Sequence, residues 1–352
     1  MRILSISILS LAALIGGYVY WWNLVADQAL VGFEKWKQHQ RENQIDITNT
    51  PLTVEGFPYR VHLSAQSFTI KKTNETLQQT SKLSLTQAWA IVEPWNFQHV
   101  IFGVDGPIAI NWASPDVTKS LDLTAEKAVG SAGLNTSAAL EKLAIDLVKP
   151  EFRTSDYGKG TAERFQLHLK QTPEKINDTG TNAPKSALND GKIWHVAIRS
   201  NHLHLEQLRN SLLGSEIEEL SVLLETQASV KDFTSSIALK SWRDKGGAID
   251  IRRANLKWDQ SHFEGEGTLT LDAENYPLGA FSTKIRGYNA IISTIAKAKK
   301  MTPKATQTTI FALNMLAKTD DQGNRYVELP LSLQEGATYI GPLKLFKLEP
   351  LF

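Results

Sequence analysis

A few short constellations in the chain have residue types and spacings that could do chemistry. In His202-x-His204-x-Glu206, with His195 close by, all three side chains would share one face of a strand and could ligate a divalent cation. On a helix, positions i and i+2 diverge and no site forms. Leu205, Leu208 and Leu212 predict a helix over Leu203 to Leu213, so these histidines read as a polar lead-in to it and no metal is assigned. Gly265-x-Gly267 lacks the third glycine of a dinucleotide loop and reads as strand glycine at a bulge or bend. Asp320-Asp321 reads as a solvated turn. Asn74-x-Thr76, Asn135-x-Ser137 and Asn177-x-Thr179 match glycosylation sequons, which matter only in a eukaryotic secretory setting. With no nucleophile elbow, phosphate loop or His-Glu-x-x-His, the expectation is a protein without catalysis or cofactor. Gly56-Phe57-Pro58-Tyr59-Arg60 is different, offering two ring faces and a forked cation on a Gly/Pro turn. It is the candidate ligand-contact motif. Its competing and favoured reading is an aromatic-proline turn that starts a strand and plugs the end of a sheet.

The elements that position these residues are mostly strands. The exception comes first: Ile3 to Trp22 is uncharged and ends in Tyr18-Val19-Tyr20-Trp21-Trp22. At 1.5 Å per residue it can cross a hydrocarbon core of about 30 Å, with its rings in the interface. A cleavable signal has a shorter apolar region and a small-x-small site, and Leu24 lies where a small residue should precede Ala26. The run is therefore expected to be an uncleaved single-pass anchor, N-terminus inside. Leu24, Ala29, Leu30, Phe33 and Trp36 continue the helical spacing, as a stalk or as a helix packed on the domain's own sheet.

From Ile45 the chain alternates and turns. The expected organisation is an anchor (1–22), a helical stalk (23–44), a β-rich part (45–170), a polar loop (171–190) and a second β-rich part with helices (191–352). Ser236 to Lys240 reads as a strand leading through Trp242 to a Gly246-Gly247 turn, and helices are expected near Asn289–Lys299 and Pro303–Ala317, with Pro303 in the first helical turn. Short connections favour antiparallel meanders. The fold class is α+β and β-rich: curved antiparallel sheets with a few packed helices behind one transmembrane helix. Lys+Arg 38 against Asp+Glu 37 argues against a nucleic-acid partner. Zero Cys excludes disulfides, thiolate metal sites and cysteine nucleophiles.

The anchor followed by Gly56-Phe57-Pro58-Tyr59-Arg60 resembles the start of the domain-of-unknown-function 2125 family of exported Gram-negative proteins. So do the motifs that follow in order: Trp242-x-x-x-Gly246-Gly247-Ala248-Ile249-Asp250-Ile251, Leu256-Lys257-Trp258, Gly265-x-Gly267-Thr268-Leu269-Thr270-Leu271-Asp272 and Tyr276-Pro277-Leu278-Gly279. Leu329-Pro330-Leu331, Gly336 and Gly341-Pro342-Leu343 complete the set. Departures are Leu278, where a Glu-like or small residue is expected, and the polar loop. The texture is more distantly similar to AsmA-like envelope proteins, anchored in the inner membrane and implicated in lipid movement or outer-membrane assembly. The resemblance implies a periplasmic domain on an inner-membrane anchor, with the membrane, phospholipid or envelope proteins as partners. It implies no catalytic residue. Two roles are open: an apolar sheet face that shields acyl chains, or a structural and interaction module. In the second, Leu205, Leu208, Ile291, Ile295, Phe311 and Met315 fill that face.

Overall fold

The computed structural model describes residues 2–74, 78–115, 117–137, 139–173, 192–211, 213–228, 236–298, 301–341 and 343–351. Most of the expected polar loop, the sequon at Asn177, Thr76, Leu212 and Pro342 lie outside the described residues. The chain divides into two compact units, Met1–Leu140 with Ile145–Gly158, and Glu141–Ala144 with Lys159–Phe352. Both are dominated by β-strand, and every described pairing is antiparallel.

In the first unit helix α1 (Arg2–Glu42) precedes β1 (Ile45–Asn49), β2 (Thr53–Glu55), β3 (Val61–Asn74), β4 (Gln79–Glu93), β5 (Asn96–Val104), β6 (Ile108–Ala113), β7 (Thr118–Thr124), β8 (Lys127–Leu134), β9 (Leu140–Val148), whose residues 141–144 belong to the second unit, and β10 (Glu151–Thr154). Strand β3 is the spine: it takes β1 and β2 along one edge and β4 along the other. Strand β4 in turn pairs with both β5 and β6. Helix α1 is long and apolar enough at its N-terminal end to span a membrane, and no residue of that apolar window is buried. Its later turns lie on the unit's own sheet. Trp22, Val25 and Ala26 are buried against Val61, with Val54 and Leu63 beside them, and Phe33 meets Phe68 at 6.2 Å. The packed alternative to a free stalk is thus the one the chain adopts.

The second unit contains β11 (Gly158–Thr161), β12 (Arg164–Pro173), β13 (Lys192–Leu205), β14 (Glu216–Thr226), α2 (Ser236–Asp244), β15 (Ile249–Trp258), β16 (Ser261–Leu271), β17 (Pro277–Arg286), α3 (Tyr288–Ala298), α4 (Pro303–Leu316), β18 (Lys318–Thr319), β19 (Arg325–Gln334), β20 (Ala337–Ile340) and β21 (Leu343–Lys347). Strands β12 to β17 form a meander that β19, β20 and β21 extend. Register sorts its faces. Leu220, Leu256, Phe263, Ile285 and Val327 stand opposite one another across five strands. The neighbouring row is Ser221, Asn255, Glu264, Lys284 and Glu328. Adjacent residues of a strand point to opposite faces, so one face is apolar and the other polar. Helices α3 and α4 cover the apolar face, where Ile285, Tyr288 and Val327 form a buried cluster with Ile291 and Leu313 at its edge.

Two expectations are corrected. The predicted helix from Leu203 is instead the end of β13, followed by a 3-10 turn over Glu206–Asn210, because Leu203 and His204 are held in ladder with Ile217 and Glu216. The segment Ser236–Asp244 is helical, not a strand, and it ends at Gly246-Gly247. Gly246 has φ +79°, its N–H donates to Arg243 O at 2.8 Å, and Gly247 N–H donates to Trp242 O at 2.9 Å. That pair of reversed hydrogen bonds is the Schellman closure of a helix C-terminus. Pro303 does open α4, behind an N-cap Thr302 whose hydroxyl accepts from Ala305 N–H at 3.2 Å.

Candidate functional site

The turn Gly56–Arg60 joins β2 to β3 and meets α1 at the aromatic end of its apolar run. Tyr18 Oη donates to Pro58 O at 2.5 Å, and Trp22 Nε1 donates to Arg60 O at 3.2 Å. Phe57 sits edge-on to Trp22 at 5.5 Å and tilted to Tyr18 at 6.1 Å. The Phe57–Pro58 peptide is cis. Gly56 has φ +102°, and a Cβ there would fall 2.7 Å from Arg60 O, so only glycine closes this turn. Two of the motif's carbonyls are therefore committed to the helix. Phe57 and Tyr59 nevertheless stay 49% and 75% exposed.

The histidines disperse. His202 Nδ1 pairs with Glu216 Oε1 at 2.6 Å, while His204 Nδ1 meets Ser215 Oγ at 3.2 Å. Glu206 accepts from Lys159 N–H at 3.4 Å, and His195 lies between Thr172 Oγ1 at 2.8 Å and Glu225 Oε1 at 3.2 Å. Among the described residues no three His, Asp or Glu side chains converge on one point. Glu216 holds the His202 imidazole above its ordinary value. On the polar face, Arg252 and Arg286 hold Glu225 and Glu264 below the usual carboxylate range, at contacts of 2.7 Å each.

The second unit's apolar face carries a cavity. Between the sheet and α3/α4 lies a space of 740 Å³. Its floor is formed by Leu256, Phe263, Ile285 and Leu329, and its roof by Ile291 and Ile295 with the Ala312 side of α4. Its volume falls in the ~300–1,000 Å³ range of small-molecule sites. The roof is incomplete because α4 turns part of its apolar surface outward. Thr308, Ala312 and Leu316, at i, i+4 and i+8, face the cavity, whereas Phe311 and Met315 are 67% and 74% exposed. Of the residues expected to fill this face, Ile291 and Ile295 line it, while Phe311 and Met315 do not; Leu205 ends β13 and Leu208 lies on the 3-10 turn. Nothing in the period of α4 chooses its inward face, since Ile310, Phe311, Leu313, Met315 and Leu316 nearly encircle it.

The sequence model of the bacterial family described as "uncharacterized protein conserved in bacteria" (DUF2125) matches residues 22–349. The chain belongs to this family. No curated protein and no solved structure matches it, so the more distant likeness to AsmA-like proteins has no counterpart in these comparisons. Several of the motifs that carry the resemblance meet in one corner of the second unit. The indole of Trp242 lies against Gly247, where an added Cβ would come within 2.3 Å of it, and packs with Leu239 and Leu271. Arg243 Nη1 reaches Asp272 O, Ala273 O and Asn275 Oδ1 at 3.0, 2.9 and 2.8 Å. Asp272 Oδ1 accepts from Glu274 and Tyr276 N–H at 3.0 and 2.8 Å, and Gly336 lies under the Tyr276 ring. Gly265 and Gly267 flank a register shift in β15, and a Cβ on Gly267 would lie 2.2 Å from Ala280 O. In this DUF2125 chain the bend reading of those glycines therefore holds. Arg243 could not be picked out from the sequence, for the Asp272, Ala273 and Asn275 oxygens it reaches lie some thirty residues away.

Proposed function

We propose that this DUF2125 protein is an anchored envelope protein that holds the apolar part of a lipid in the cavity under α3 and α4, with its two units on the periplasmic side of the inner membrane. The cavity carries this reading. Its walls are almost wholly aliphatic and aromatic, it is open beside α4, and each methylene moved into it from water contributes about 0.8 kcal/mol. The apolar helix α1 supports it by keeping the protein at a source of acyl chains. Among the described lining residues Tyr288 is the one titratable group, which favours binding over catalysis.

The test is native mass spectrometry with lipid extraction on the full chain purified in detergent from a Gram-negative host, alongside Ala312→Trp, which puts an indole into the cavity. Co-purifying phospholipid at near one per chain, lost in Ala312→Trp, supports the reading. A ligand-free, stably folded wild-type protein overturns it. That result would favour a structural module whose helices close over the face in solution, a reading for which the Tyr288 Oη to Asn314 Oδ1 hydrogen bond between α3 and α4, at 2.8 Å, already speaks.

A further inference from the structure

The contact between α1 and the Gly56–Arg60 turn has a consequence for where the membrane surface must lie. Tyr18 and Trp22 are engaged by the turn, so the stretch of α1 ahead of that contact runs from Ile3 to Gly17. Fifteen residues rise only about 22 Å, well short of a hydrocarbon core of about 30 Å, and any tilt lowers the reach further. Spanning therefore needs the turns up to Trp22, and those turns bring Gly56–Arg60 with them. The β4–β5 hairpin tip comes too: Val61 and Val92 are cross-strand partners, so residues 56–60 and 93–97 lie at the same end of the sheet.

That end has the composition of a membrane interface. Tyr20, Trp21, Phe57, Tyr59, Trp95 and Phe97 all expose their rings there, with Trp95 59% exposed above a fully buried Pro94. Across residues 18–22, 56–60 and 93–97 the only charges are Arg60 and Glu93. Exposed tyrosine and tryptophan around one arginine suit the headgroup layer, where rings sit at the hydrocarbon boundary and a guanidinium can fork onto phosphate. We propose that the Gly56–Arg60 turn and the β4–β5 tip are seated in the headgroup layer of the bilayer that α1 crosses, making the first unit a docked body at the membrane surface. The proposal rests on α1 being a membrane span.

The chain has no cysteine, so single-cysteine variants report one place each. Leu11→Cys, Tyr59→Cys, Trp95→Cys and Trp112→Cys would be labelled with an environment-sensitive fluorophore. Each full chain would then be reconstituted in vesicles of phosphatidylethanolamine and phosphatidylglycerol, with and without doxyl-labelled lipid. Trp112 lies at the opposite end of β4, beside Ser81, and is the aqueous control. The expected result is deep quenching at position 11, blue-shifted emission with quenching by shallow doxyl lipid at 59 and 95, and neither at 112. Quenching at 11 with water-like emission at 59 and 95 overturns the seat and leaves the anchor standing. No quenching at 11 overturns the anchor and the seat together. A four-residue insertion after Gly17, which frees the turn from the bilayer by lengthening the span, is expected to return 59 and 95 to water-like emission while 11 stays quenched.

Discussion

Trp242 and Gly247 are fitted to each other, and the fit depends on the absence of one carbon atom. A methyl group at Gly247 has no room beside the indole, and the indole itself is 2% exposed among Leu239, Leu271 and Ala228. Trp242→Ala is expected to cost about 3–5 kcal/mol, the usual range for emptying a core of a large aromatic, and Gly247→Val to destabilise comparably by displacing the ring. Chemical denaturation of the detergent-solubilised chain measures both, and a loss below about 1 kcal/mol would mean the corner is not a core. At His202 the sign of the pH dependence is fixed by its partner. Glu216 raises the folded imidazole above its unfolded value, so the pair stabilises the fold fully below the unfolded value of about 6.5 and ceases to do so as pH rises through the folded one. Glu216→Gln is expected to move the His202 titration down by NMR; an unchanged midpoint would refute the pairing. The sequence offered both histidine geometries, strand and helix, and only the ladder to β14 chose between them.

Elements show where local pattern runs out. Ser236–Lys240 alternates like a strand, yet Leu239 and Trp242 are also i and i+3 on a helix, and a run of five residues cannot distinguish the two periods. The double glycine that looked like a hairpin turn is a helix stop. The helix α1 was legible from its length and hydropathy, but its grip on residues 56–60 was not, since those hydrogen bonds join positions 38 and 40 apart. Trp22→Phe with Tyr18→Phe removes both donors, each contributing about 0.5–1.5 kcal/mol. Faster hydrogen exchange at the amides of residues 60–63 is expected, with the far strands unchanged. Equal protection in the double variant would show that ring packing alone holds the turn. On α4 the outward Phe311 and Met315 can be made polar at little cost: Phe311→Gln is expected to shift stability by about 0.5 kcal/mol or less, whereas Leu313→Gln, at the edge of the buried cluster, should lower the melting temperature clearly.

For the molecule as a whole, acid is the sensitive direction. Glu225 and Glu264 are held low by Arg252 and Arg286, and Asp320 by the Asn324 N–H and then Arg286. Each folded carboxyl titrates below its unfolded value of about 4. The stability they contribute is present above that value and is lost as pH falls through the folded values, the reverse of His202. Thermal melts are expected to hold steady from neutral pH to about 5 and fall below about 4, with Arg286→Gln flattening the fall. A Tm that does not change down to pH 3 would sink this account. By itself the sequence determined the membrane-length helix, the β-rich antiparallel class and the family. Hydropathy, alternation and ordered short motifs are properties of neighbouring residues, and burial of apolar area acts on them wherever the chain goes. Only the tertiary structure decided that the Gly56–Arg60 turn is held by α1, that Ser236–Asp244 is a helix whose arginine clamps a distant turn, and that α4 leaves a cavity. Those outcomes rest on hydrogen bonds and ring contacts between residues far apart in the chain, and strand register brings such residues together.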